Sequence, residues 1–241
     1  MIRIIKNEEV DLMYCYKNGN DCPYRKTCKQ KTSDGECYKM CVDFNEIDLM
    51  MHNANIPRAY LQPIVLYPGC KEDVDTFEAL SLIKTNITGM VEEGFNLYIR
   101  SEKRGNGKTS WGIKILQNYI HHLIGKPGSK DRALYLDTNE YLRELKLSFD
   151  EKDKEFKEVE KTMRECDLLV LDGIDEIKLS EYDRNYLKMI IKSRLANGKS
   201  NIFIGRNFGN NLLDQVGYDL KYYIEERSTV ITILGNRGDI Q

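Results

Sequence analysis

The sequence predicts an α/β protein: a domain built on a five-stranded, mostly parallel sheet, with a small cysteine-rich module ahead of it. Three observations lead there. Five short apolar runs alternate with helical windows from residue 74 onward, a glycine-rich turn separates the first run from a helix, and five of the seven cysteines fall within the first 41 residues. A chain of 241 residues is long enough for one good core and a small appended module.

The five runs are FNLYI (95–99), ALYL (133–136), LLVL (168–171), NIFI (201–204) and TVITIL (229–234). Each is short and rich in Val, Ile, Leu, Phe or Tyr, the pattern of strands buried on both faces. Between them, Ile115, Leu116, Tyr119, Ile120 and Leu123 share one helical face, as do Leu142, Leu145, Phe149, Phe156, Val159 and Met163. Leu187, Ile190, Ile191 and Leu195 repeat the spacing. Strands alternating with helices predict layers of helix around a mostly parallel sheet.

The first 45 residues hold few aliphatic side chains after Met13 and cannot bury a core unaided. Residues 53–70, with three of the five prolines, read as an extended connector packed on the domain that follows. The expected organisation is therefore a module at 1–52, a connector at 53–73 and an α/β domain at 74–241. Lys and Arg total 36 against 38 Asp and Glu, so gross basicity is excluded and any DNA contact must be local. No apolar run approaches the roughly 18 residues of a spanning helix. The opening residues lack a long apolar stretch and a small-residue cleavage site, so a cytoplasmic address is expected.

The first strand runs straight into Ser101-Glu-Lys-Arg-Gly-Asn-Gly-Lys108-Thr109-Ser110 and then a helix, the context of a phosphate-binding loop. Gly105 and Gly107 let backbone N–H groups curl around an anion, Lys108 reaches the β and γ phosphates of ATP, and Thr109 ligates Mg²⁺. Gly105, Asn106, Gly107, Lys108, Thr109 and Ser110 are the expected nucleotide-binding residues. Glu102 replaces the first glycine of the usual pattern. Such a loop needs a strand ending in Asp to hold the metal's outer coordination, and CDLLVLDGIDE supplies Asp172. Many ATPases carry a second acid next, where this chain has Gly173; the nearest acids are Asp175 and Glu176, which serve from a shifted position or cap the following helix. At the end of the next strand, NIFIGRN places Asn207 as a γ-phosphate sensor or a turn residue. The expected catalytic set is Asp172, Asp175 and Asn207.

With these residues in place, the chain resembles the phage-encoded DNA replication proteins of the DnaC/DnaI type, the AAA+ helicase loaders. The resemblance rests on NANIPRAYLQPIVLYP, NLYIRSEKRGNGKTSWGIKIL, DLLVLDGID, NIFIGRN and VGYDLKYYIEERSTVITILGNRGD. It implies an AAA+/RecA-like P-loop core that binds ATP and Mg²⁺, associates with single-stranded DNA, and delivers a hexameric DnaB-type helicase to it in the cytoplasm of an infected bacterium. The chain departs from the family at Gly173 and at Tyr222 and Tyr223, where a Ser-Arg pair usually supplies an arginine finger. The family's closing basic residues fall near Gly238 and Asp239, with Arg237 close by. Arg227 and Arg194 are candidate replacements for the finger. Losing the second acid and the finger points to weakened or absent hydrolysis. The alternative is a non-hydrolysing AAA+ adaptor or inhibitor of a replication or recombination ATPase, and a homo-oligomer remains open.

Cys15, Cys22, Cys28, Cys37 and Cys41 follow a C-x6-C-x5-C-x8-C-x3-C spacing. Four thiolates around Zn²⁺ would staple this polar segment, leaving one cysteine over. Lys17, Arg25, Lys26, Lys29 and Lys31, interleaved with Tyr14, Tyr16 and Tyr24, read as a grip for single-stranded DNA or as a face for an acidic partner. Cys70 and Cys166 read as small core residues, and Trp111 as packing.

Overall fold

The structure, a computed structural model, describes residues 42–61, 65–126, 128, 131–147 and 154–235. The cysteines at 15, 22, 28, 37 and 41 and the basic, tyrosine-rich stretch around them lie outside the described residues, as do Gly238 and Asp239.

All five expected runs are strands: β1 (Asn96–Arg100), β2 (Ala133–Asp137), β3 (Leu168–Asp172), β4 (Ser200–Gly205) and β5 (Thr229–Thr232). They form one sheet in the order β2-β3-β4-β1-β5, and every pair is parallel. The runs of β1 to β4 are largely apolar because both faces are covered, whereas β5, at the edge of the sheet, is only partly buried. Leu97, Ile99, Leu168, Val170, Ile202 and Ile204 point to one core, while Tyr98, Leu169, Leu171 and Phe203 point to the other.

The first core lies under α1 (Val42–Asn53), α2 (Val74–Glu92) and α3 (Lys108–His121). Ile115, Leu116, Tyr119 and Ile120 are all buried there, and Trp111 packs edge-on against Phe77 with ring centroids 5.3 Å apart. The second core lies under α4 (Thr138–Leu147), α5 (Lys154–Glu165), α6 (Glu181–Ala196), α7 (Gly209–Val216) and α8 (Tyr218–Lys221). Helix α6 starts in a capping box, with Ser180 Oγ accepting from Asp183 N and the Asp183 carboxylate accepting from Ser180 N. Among the described residues no helix is long and apolar enough to cross a membrane.

Connector residues lie along the free edge of β2. Tyr135 N donates to Ala54 O at 2.8 Å and Asn55 Nδ2 donates to Tyr135 O at 3.2 Å, so the edge strand is partly paired rather than open. Further on, the buried carboxylate of Asp73 accepts from Leu234 N at 2.8 Å and Gly235 N at 2.7 Å, tying the connector's end to the segment after β5.

Arg194, a candidate for an intersubunit contact on sequence grounds, is fully buried. Its guanidinium donates to Asn201 Oδ1, Met163 O, Cys166 O and Ser200 O at 2.6–2.9 Å. A buried guanidinium with its donors spent on α5, the turn from α5 into β3, and β4 is part of the core, and it cannot reach a neighbouring subunit.

Candidate nucleotide-binding site

The loop between β1 and α3 owes its shape to two glycines and one asparagine. Gly105 and Gly107 have φ of 72° and 92°, a left-handed conformation that glycine adopts at little cost. Asn106 turns inward and is only 8% exposed, its amide donating to Ser101 Oγ and, at 3.4 Å, to Ile233 O. Asn106 thus holds the loop in shape from beneath. Gly112 brings α3 directly against β4, since a Cβ there would meet Ile204 Cδ1 at 2.5 Å. The amino terminus of α3, with its unpaired backbone N–H groups, is thereby aimed across the carboxyl ends of the strands.

Two tyrosines and a threonine meet at this end of the sheet. Thr109 Oγ1 donates to Asp172 Oδ2 at 2.8 Å, and Tyr135 Oη donates to the same oxygen at 2.8 Å. Burial pushes the Asp172 carboxyl above its ordinary range against those two hydrogen bonds, and the nearby Asp137 and Glu176 push the same way. Tyr60, from the connector, reaches in as well: its hydroxyl hydrogen-bonds with Ser110, and burial together with the Asp172 charge raises its pKa. Gln117 Nε2 holds the Tyr60 carbonyl at 2.7 Å. A hydroxyl and a carboxylate side by side suit Mg²⁺, which takes one or two protein oxygens and completes its shell with phosphates and water. Groups of three or more His, Cys, Asp or Glu able to hold a metal do not occur among the described residues, and such a shared site does not need one.

Lys108 currently folds back on its own loop, Nζ donating to Lys103 O at 3.0 Å. Burial and the neighbouring Arg206 lower its pKa, while Asp172, Glu176 and Asp175 pull the other way. Arg104, Lys108 and Arg206 bring positive charge to a cleft of about 340 Å³ whose other side carries Asp172 and Glu176. The volume lies within the range of small-ligand sites.

Of the other expected catalytic residues, neither Asp175 nor Asn207 lines the cleft. The Asp175 carboxylate, 1% exposed, accepts from Arg206 N at 2.9 Å and Asn207 N at 2.6 Å. Asn207 Nδ2 donates back to Asp175 O at 3.2 Å, and Tyr98 Oη donates to Asn207 O at 2.7 Å. This network clamps the loop after β4 and leaves Arg206 as the residue of that loop which faces the cleft. Arg206 had a signal in NIFIGRN, next to the asparagine chosen from sequence. Tyr60 and Tyr135 had none, because only the fold brings Tyr60 to Ser110 and Tyr135 to Asp172.

No protein-family model matches the sequence, and no curated protein matches it. Solved structures do. The crystal structure of the DnaC helicase loader is 22% identical over 69% of this chain and 93% of its own, with a TM-score of 0.56. DnaI is 19% identical over 74% and 94%, with a TM-score of 0.56. The replication initiator DnaA bound to AMPPCP and single-stranded DNA is 18% identical over 74% of this chain and 50% of its own, with a TM-score of 0.54. At 18–22% identity these likenesses are of fold, the parallel α/β architecture described above. With the cleft at the carboxyl ends of β1, β3 and β4, the arrangement can bind a polyphosphate, supply oxygens to its cation and position cationic side chains along it.

Proposed function

We propose that this chain binds Mg²⁺·ATP between the Gly105–Ser110 loop and Asp172 and acts in DNA replication as a loader of a hexameric replicative helicase onto single-stranded DNA. The observation that carries the nucleotide reading is the Thr109–Asp172 pair at 2.8 Å, lining one cleft together with Gly105, Lys108 and Arg206. Backbone N–H groups at the start of α3 and Lys108 would hold the phosphates, Thr109 and Asp172 the cation, and Arg206 the terminal phosphate. The cation neutralises phosphate charge when bound.

The loader reading is supported by the sequence resemblance in the connector and closing segment and by the fold shared with DnaC and DnaI. Within it, the cysteine-rich residues before 42 form a Zn²⁺ module that meets the helicase, and the nucleotide-binding domain is 74–241, with α1 and the connector packed into its core. Turnover is slow, because Tyr222 and Tyr223 stand where a trans-acting arginine would be and Arg194 is locked in the core. Tyr60 is the link between parts: it touches the nucleotide helix at Ser110 and belongs to the connector.

A titration with fluorescent ATP tests the site. Lys108→Ala should weaken binding by about 10- to 100-fold, the loss of a charge-assisted contact to phosphate. Equal affinity in the variant and the wild type would remove the assignment.

A further inference from the structure

The space next to Asp172 is filled from three residues further on. Gly173 has φ of 67°, and a Cβ placed on it would lie 3.4 Å from Glu176 Cγ, 3.5 Å from Glu176 Cδ and 3.3 Å from Asn139 Nδ2. The turn that does this closes with Glu176 N donating to Gly173 O at 3.2 Å. Position 176 is thus folded back over position 173, and the glutamate side chain lies beside the place where a side chain at 173 would start. A non-glycine residue at 173 would be strained by φ, would crowd Asn139 Nδ2 and would come into contact with Glu176, so the glycine and the displaced acid are two halves of one arrangement.

The neighbouring acid cannot play this part. The Asp175 carboxylate is buried and holds the backbone of Arg206 and Asn207, whereas Glu176 is exposed and lines the cleft with Lys108, Thr109, Asp172 and Arg206. We propose that Glu176 is the catalytic carboxylate that orients and deprotonates the attacking water in ATP hydrolysis, standing in for the acid absent at 173. The inference rests on the Mg²⁺·ATP reading above. In the step, the water oxygen forms a bond to the γ phosphorus while the bond from that phosphorus to the β–γ bridging oxygen breaks, its electron pair leaving with ADP. The water's proton passes to the Glu176 carboxylate and then to the released phosphate, regenerating the carboxylate.

The test uses the full chain and two readouts. Equilibrium titration gives the affinities for ATP and ADP with Mg²⁺, and phosphate release gives turnover. Glu176→Gln should cut phosphate release by roughly 10²-fold or more while tightening ATP relative to ADP, since a negative charge beside the γ phosphate is gone. Glu176→Asp keeps that charge but withdraws it, so its ATP-to-ADP preference should stay near wild type while phosphate release falls. An unchanged rate or an unchanged ATP-to-ADP ratio in the glutamine variant overturns the proposal. So does a wild-type chain that binds ATP but releases no phosphate, or a folded glutamine variant that no longer binds ATP. A wild-type chain that binds neither nucleotide overturns the underlying Mg²⁺·ATP reading instead.

Discussion

At Gly205 the loop that carries Arg206 leaves the sheet under a tight steric limit. A Cβ there would lie 2.6 Å from Asp175 Oδ1 and 2.7 Å from Tyr98 Oη, the two groups that clamp Arg206 and Asn207. Both are buried and hydrogen-bonded, so neither can swing aside freely. Gly205→Ala should therefore destabilise the chain by about 1–3 kcal/mol through overpacking and weaken ATP binding by displacing Arg206. Urea unfolding and nucleotide titration read the two effects, and wild-type behaviour in both would show that the clamp does not set the cleft. The distinction between Asp175 and Glu176 belongs to this scale too. In DGIDE the two acids are adjacent and chemically alike, and only the left-handed turn at Gly173 decides that one points into the sheet and the other into the cleft. Nothing in the spacing of the letters carries that information.

Among elements, the sheet is pinned at the end opposite the cleft by Asp167, just before β3. Its carboxylate receives Lys199 Nζ at 2.7 Å, the Arg132 guanidinium and Tyr119 Oη at 3.1 Å, joining β2, β3, β4 and α3. Burial works to raise the Asp167 pKa, but the hydrogen bonds and charges of Lys199 and Arg132 outweigh it and hold the carboxyl below its ordinary range. A depressed folded-state pKa stabilises the fold above the unfolded value and loses that contribution as pH falls through the folded one. Asp167→Asn should cost about 1–3 kcal/mol near neutral pH, toward the lower end because the carboxylate is partly exposed. The gap between variant and wild type should shrink once the pH drops below about 4. A gap that stayed constant from neutral pH to acid would show that the charge of Asp167 contributes nothing. The existence of all five strands was legible, since short apolar runs mark buried strands, while their ends were not: β1 runs one residue later than FNLYI, and the edge strand β5 stops at Thr232. Their order was not legible either, because β4 enters between β1 and β3 through contacts far apart in the chain. Ile47, Met50 and Met51 have helical spacing and pack in the first core, yet they follow directly on the cysteine-rich residues, whose composition masks so short a signal.

Across the whole molecule, the connector is the element that joins the nucleotide site to everything before it. It pairs with the edge of β2 at Ala54, lays Tyr60 against Ser110 near Asp172, and anchors the segment after β5 through Asp73. A cation and phosphates bound between Thr109 and Asp172 would have to compete with the hydrogen bonds that Thr109 and Tyr135 give to Asp172, and Tyr60 lies against Ser110, the next residue along. In the function proposed above, nucleotide at Thr109 and Asp172 would be felt by the connector, and we propose that this coupling serves to hold a helicase. The direct measurement is size-exclusion chromatography with light scattering of the full chain, purified with Zn²⁺ supplied, mixed with a hexameric replicative helicase, with and without Mg²⁺·ATP. Co-elution that requires Mg²⁺·ATP and disappears in Lys108→Ala is the predicted result. Failure to co-elute under every nucleotide condition, or a complex indifferent to both nucleotide and Lys108, would contradict it.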